Sequence, residues 1–313
     1  SKYRVAVLPF GQPGAPVFPA ALPDFPAGLL ASVTTIDPDI QSARSWQTSV
    51  QAERELARDT VVALGYIHTD TRGLIVSRNV NVPTVSAQEA TAHGIANLGR
   101  PDPRFANVSR YGSLGRADYD GLTASLRHRF GGSLSGRVSY TLSRARDDAG
   151  NAFFFSPQDN ANIHGEWGPS DNDQRHRLVV SGAWEAPAAA PPLLRGWRLS
   201  GVFSYGSALP FNVLTGSDRN NDTSVNDRPE GVGRNSERGF DFASLDLRLA
   251  RRFAVGGRRA LEAMVEAFNM LNRANYQLPN NTFGTGPTPR PTFGQPTQAA
   301  DPRQVQLGLR LEF

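Results

Sequence analysis

The chain has 313 residues, with 30 Gly, 23 Pro, no Cys and a formal net charge of +4. The lack of Cys excludes disulfides, thiolate metal sites and cysteine nucleophiles, and a small, scattered positive charge excludes a basic nucleic-acid surface. No apolar run approaches the roughly 20 residues of a membrane-spanning helix, which excludes a helical membrane protein but not a β-barrel, whose strands carry only a weak alternating signal.

Residues 1–8 form a first candidate strand with blurred alternation, expected to pair with strands that precede it. The chain begins Ser1-Lys2-Tyr3-Arg4, without a charged-then-apolar leader or an initiator Met. The expectation is that a leader and more precede it, or that it is part of a longer protein. Further strands are expected at 43–57, 60–70 and 118–130. In 134–143, Leu134, Val138, Tyr140 and Leu142 oppose Ser135, Arg137, Ser139, Thr141 and Ser143. After a candidate at 175–186, residues 197–205 set Trp197, Leu199, Phe203 and Tyr205 against Arg198, Ser200 and Ser204. In 241–253, Ala243, Leu245, Leu247 and Leu249 oppose Ser244, Asp246, Arg248 and Arg252. A blurred strand at 258–270 precedes RQVQLGLRLEF (303–313), in which Val305, Leu307, Leu309, Leu311 and Phe313 share one face and Gln304, Gln306, Gly308, Arg310 and Glu312 the other. That strict period of two is the signature of a strand with one apolar face. The total is about ten strands, near the roughly 9–11 residues needed to cross a bilayer.

The connections alternate. Short turns at 57–59, 131–132 and 255–257, and a longer Ala/Pro-rich one at 187–195, separate long polar segments at 9–42, 71–117, 145–174, 207–240 and 271–303. Short periplasmic turns and long outer loops are the rhythm of an outer-membrane barrel, and compact soluble domains rarely hold several structureless loops of this length. A soluble two-sheet sandwich also alternates. Strand length, loop rhythm and the aromatics Trp46, Tyr66, Tyr119, Tyr140, Trp184, Trp197 and Tyr205 in or near strands argue against it, since amphipathic rings favour membrane interfaces.

Candidate sites are sparse. No two of the five His, His68, His93, His128, His164 and His176, sit at a zinc-ligand spacing such as H-x-x-x-H. Asp171, Asp173 and His176 cluster at a strand entrance, where a loop acid–base pair competes with an ordinary charged loop mouth, the preferred reading. In DRNNDTSVND (218–227), Asp218, Asn220 and Asp222 alternate like the oxygen ligands of a calcium loop, and Asn226 and Asp227 would complete the shell. Thr223 stands where an EF-hand has Gly and Glu230 falls one residue late, so the choice lies between a different calcium loop and a solvated Asx-rich turn. No other cofactor is expected. Arg137, Arg198, Asp246, Arg248, Glu262 and Glu266 would line the lumen as a ladder of opposite charges, or touch a plug or substrate. Asn107, Asn221 and Asn280 begin chance glycosylation sequons.

ADYDGLTASLRHRFGGSLSGRVSYTLSRARDD (117–148), GPSDNDQRHRLVVSGAWEAP (168–187), SGVFSYGSALPFNVLTGSDRNNDTSVNDRPEGVGRN (200–235), EAFNMLNRANY (266–276) and DPRQVQLGLRLEF (301–313) resemble, in order, the carboxyl-terminal barrel of Oar-like TonB-dependent receptors. The resemblance covers most of residues 41–313. It implies an all-β antiparallel transmembrane barrel in the bacterial outer membrane, with 1–313 forming about ten strands of a wall of about 22 around a plugged lumen. It implies uptake of an unnamed substrate driven through TonB, and Phe313 as the signal read by the outer-membrane assembly machinery. Lipid, plug and TonB are the implied partners, the last two through a parent chain, because plug, TonB-binding box and first barrel half are not in this sequence. Competing expectations are a surface or adhesion protein that does not import, and a small closed barrel with a loop active site. Enzymatic activity is not expected.

Overall fold

The computed structural model describes residues 4–5, 30–86, 89, 92–93, 98–130, 133–150, 156–187, 189–257 and 259–313. Their strands are β1 (Arg4–Val5), β2 (Ala31–Ile36), β3 (Arg44–Ala57), β4 (Thr60–Asn79), β5 (Phe105–Phe130), β6 (Leu134–Asp147), β7 (Gly168–Pro169), β8 (His176–Glu185), β9 (Trp197–Gly206), β10 (Pro210–Phe211), β11 (Glu237–Arg238), β12 (Phe242–Gly256), β13 (Arg259–Phe268) and β14 (Gln304–Glu312). A single 3-10 turn spans Ile163–Glu166.

Nine strands form one antiparallel meander in chain order, β3-β4-β5-β6-β8-β9-β12-β13-β14, within a 12-stranded sheet. Tight turns hold one end. Ala57 pairs with Thr60, so Arg58 and Asp59 alone make that turn, with Asp59 at φ 61. Gly256 pairs with Arg259 across Gly257, and these glycines take φ 104 and 59, conformations that cost other residues a Cβ clash. The longer turn between β8 and β9 closes on Gly196 (φ 77), where an added Cβ would sit 2.3 Å from the Arg252 carbonyl oxygen. The opposite end carries every long connection. The expected rhythm is therefore the observed one, and strand positions differ from expectation mostly by one or two residues.

Three differences have physical causes. Strand 60–70 runs on to Asn79, and strand 118–130 begins at Phe105, so the segment 71–117 is half ladder. Register shifts at Arg72/Leu74 and Leu74/Ile75 break the period of two there and hide the extension. Second, β2 lies inside the segment expected to be loop (9–42) and pairs in parallel with the start of β5, Val33 opposite Val108 and Ile36 opposite Tyr111. Third, of the expected strand 1–8 only Arg4–Val5 is described, and it pairs with β2, not with a preceding strand; the rest lies outside the described residues.

Register sorts the two faces. Val62, Leu126, Val138, Val180, Phe203 and Leu245 form one cross-strand row. Leu249, Val265 and Leu307 form another. These large apolar side chains are exposed or half-exposed, Leu307 at 76% and Leu309, on the same face, at 77%, which a water-soluble sheet avoids over so wide a band. Trp184 and Trp197 edge the band near the tight turns, with Arg251 stacked over Trp197 at 5.3 Å. Tyr66, Tyr140 and Tyr205 edge it near the long loops. Tyr119 departs from this pattern: it opposes Thr69 and Ala145 on the polar face, its ring over Gly121. Few apolar side chains are buried; Val76, Ala149 and Ile163 form a small cluster with Leu74 packed on it. The buried interior is mainly polar and lies among the long loops.

Candidate functional site

The long connections on one end fold into a single polar assembly, and arginines lock it. Arg228 donates two hydrogen bonds to Glu166, at 2.8 and 2.9 Å, and both side chains are buried. Arg234 reaches the Asp147 carboxylate at 2.6 Å and its carbonyl at 2.7 Å. Arg238 holds Asp173, whose other oxygen accepts the Ala145 amide at 2.7 Å. Three arginines of segment 207–241 thus engage acids of β6 and segment 148–175. Burial of such charges is tolerated only when each is paired and hydrogen-bonded. Arg116 and Arg146 flank the Trp167 ring at 4.4 and 4.9 Å. Phe211, Phe283 and Phe293 tie in segment 269–303.

The acid–base alternative at the strand entrance does not form. Asp171 accepts from Asn235 at 2.7 Å, Asp173 is bound by Arg238, and the His176 ring meets Tyr140 at 2.7 Å. The other described histidines are dispersed; His68 meets Asp120, and His164 meets Asp148.

Segment 218–227, left open between a calcium loop and an Asx-rich turn, is brought together with its side-chain oxygens on nearby donors. Asp218 accepts the amides of Asp222 (3.1 Å) and Thr223 (2.8 Å). Asn220 accepts the Asp222 amide too, at 3.1 Å. Asp222 accepts the Ser224 amide at 2.8 Å and Asn160 Nδ2 at 2.6 Å. Asp227 accepts the Arg219 amide. With the carboxylates turned onto backbone amides, the segment is an Asx-type knot. Among the described residues, no three His, Asp or Glu side chains are grouped to hold a metal ion. Burial, opposed by the Ser224 amide and aided by Asp218 and Asp227, pushes the Asp222 carboxyl above the usual range. The knot also clamps its surroundings: Asn221 Nδ2 donates to the Val85 carbonyl and Asn226 Nδ2 to that of Ser156.

Cavities among the described residues accompany this architecture. The polar face of the wall lines one of about 770 Å³, with Arg127, Arg137, Ser135, Ser181, Ser200, Asp246, Arg248 and Glu266. The expected charge ladder is real in part: Arg248 lies 3.9 Å from Glu262 and 3.7 Å from Glu266, and Arg198 3.2 Å from Glu185. Arg137 corrects it, since its cross-strand partner is Arg127, a like charge. Two cavities of about 700 and 600 Å³ lie in the loop assembly and share Gln158, Asp159 and Asn220.

An antiparallel meander with an exposed apolar band on one face, a charged opposite face, tight turns at one end and locked polar loops at the other is a membrane β-barrel wall. The sequence matches the family described as outer membrane beta barrel domain over residues 4–233 and 230–306, and the chain belongs to that family. Its place is the bacterial outer membrane. Among solved structures, the fold is similar to the outer membrane transporter YddB from Escherichia coli, with TM-score 0.57, 10% identity, and 87% of this chain and 33% of that one covered. It is similar to the ferric enterobactin receptor PfeA from Pseudomonas aeruginosa, with TM-score 0.52, 15% identity, and 86% and 31% covered. It is likewise similar to the structure of the FpvAI-pyocin S2 complex, with TM-score 0.51, 12% identity, and 86% and 28% covered. The chain spans about a third of the length of these structures. At these identities the likeness is one of fold. No curated protein sequence matches the chain.

The loop-locking residues Glu166, Arg228, Arg234 and Arg238 were not singled out by sequence reasoning. The signal available was complementary charge in two long segments, which names no pairs.

Proposed function

We propose that this chain is the wall and outer-loop portion of an Oar-like TonB-dependent receptor that takes up a substrate across the outer membrane. The observation that carries the reading is the open wall. Among the described residues β3 pairs only with β4 and β14 only with β13, so each leaves one ladder edge unpaired. In hydrocarbon each unpaired backbone group costs several kcal/mol, so such a wall persists only as part of a larger closed barrel. Large plugged barrels of about 22 strands are transporters. The charged polar face then lines the lumen against a plug, and the loop assembly forms the outer mouth where solute is first met. Phe313 is exposed at the end of β14, on the face of Leu311, and serves the assembly machinery as a terminal recognition residue. The reading gives the chain no enzymatic role.

The test uses the intact receptor in cells. Uptake of its solute should require TonB and an energised inner membrane. Undiminished uptake without TonB, or surface binding that never leads to uptake, would replace this reading with that of a surface-binding protein. Phe313→Ala should lower the amount of assembled, heat-modifiable receptor while leaving synthesis unchanged.

A further inference from the structure

Arg78 of β4 and Arg110 of β5 lie directly opposite one another in the antiparallel ladder, and both line the cavity of about 700 Å³. Both are half-buried. They stand on the strand extensions that the register shifts conceal. Two residues before Arg78, Val76 packs against Ala149 and Ile163 of the covering loop, so this side of the sheet looks into the loop-covered mouth and away from lipid.

Like charges opposed across a ladder repel, and partial burial removes water that would screen them. Elsewhere in the assembly the same problem is solved by an acid: Arg228 has Glu166, Arg234 has Asp147, Arg238 has Asp173. Among the described residues Arg78 and Arg110 form no such pair. The acids of the cavity are engaged otherwise. Asp159 accepts the Ala161 amide at 2.8 Å, and Asp222 takes Asn160 Nδ2 and the Ser224 amide. Two arginines therefore line a cavity of small-molecule size without a salt bridge to either of its carboxylates. Arginine forks match the planar oxygens of carboxylate and phosphate. The adjoining cavity of about 600 Å³ extends the space along Gln158 and Asn220.

We propose that Arg78 and Arg110 form an oxyanion-binding site in the outer mouth, so that the solute captured there is a small polar molecule carrying two or more carboxylate or phosphate groups. This rests on the receptor reading for its purpose, though not for its chemistry.

The test is calorimetric titration of the purified intact receptor in detergent at low salt, with citrate and with pyrophosphate as probes. Binding of at least one is expected, and the stronger of the two identifies the group preferred. Arg78→Gln and Arg110→Gln should each weaken it about tenfold or more, since a charge-assisted hydrogen bond is lost in each. Arg110→Lys should retain part of the affinity, and heat-modifiable mobility should be kept. Binding of neither probe, or equal affinity in the Arg78→Gln/Arg110→Gln receptor, overturns the site. Should the variants misfold, phenylglyoxal labelling of the unaltered receptor decides: citrate or pyrophosphate should protect Arg78 and Arg110, and unprotected labelling of both overturns the proposal. Anion binding without TonB-dependent uptake would leave this site standing and remove the transport reading; uptake without anion binding would do the reverse.

Discussion

Replacing Arg228 by Met should open the outer loop assembly while leaving the wall intact. Glu166 is 2% exposed and Arg228 8%, and the pair is bidentate. Removing the guanidinium leaves the Glu166 carboxylate buried with only the Gln158 amide, 2.9 Å away, as its described partner. Stranding a buried charge costs about 3–5 kcal/mol, equivalent to roughly two to four decades in the opening equilibrium of the loops. The assay is hydrogen exchange with the receptor in lipid, read at the amides of Gln158, Trp167 and Thr215. Exchange there should accelerate strongly, while amides of β12 and β13 stay protected, because the sheet is held by its own ladder. The Arg228→Met/Glu166→Gln receptor should be less damaged than Arg228→Met alone, since neither buried group is then charged. An acceleration under tenfold in Arg228→Met, or a double variant worse than the single, would refute the claim that this pair locks the loops.

Leu309→Arg, on the apolar face of β14 opposite Ala263, should destabilise folding into lipid vesicles by about 2–4 kcal/mol. Gln306→Arg, opposite Glu266 on the polar face, should cost far less, and equal effects would invert the face assignment. Gly196→Ala combines φ 77 with a 2.3 Å approach to the Arg252 carbonyl oxygen and should cost roughly 1–3 kcal/mol in the urea midpoint. Gly233→Ala, with open space around it, should cost less than about 0.5 kcal/mol, and a similar loss at both sites would dismiss the strain argument. The Asp222 carboxyl holds its proton more tightly folded than unfolded. Its contribution to stability is thus greatest at low pH and falls as pH rises from the unfolded value, about 3.9, through the raised folded one. Protection of the Ser224 amide, corrected for intrinsic exchange, should fall over that range, and the fall should flatten in Asp222→Asn. An unchanged slope would show that other groups govern it. Calcium should leave that protection unaltered, because the segment's carboxylates already serve amides; a saturable calcium-dependent gain would restore the ligand reading.

Strand positions, face parity and the alternation of tight turns with long loops were legible in the chain itself. Each rests on local chemistry: a period of two that sorts Leu245, Leu247 and Leu249 from Asp246 and Arg248, and turn residues such as Gly256 and Gly257 that supply the positive φ their tight hairpin needs. Such signals survive because the apolar face must be continuous from strand to strand in lipid. What lies beyond the tight-turn hairpins belonged to tertiary structure. Register shifts beside Leu74 break the parity, so the extensions of β4 and β5, and with them the opposition of Arg78 and Arg110, have no periodic trace. The parallel seat of β2 on β5 depends on a partner more than seventy residues away in sequence, as in Ala31 opposite Phe105. The spacing of Asp218, Asn220 and Asp222 marks a cluster of oxygens, but spacing is blind to where those oxygens turn, and here Asp218 and Asn220 accept nearby backbone amides. Glu166 and Arg228 are 62 residues apart, and nothing local names either as the other's partner. Only the folding of one long loop onto another, with water excluded between them, makes that pair a lock.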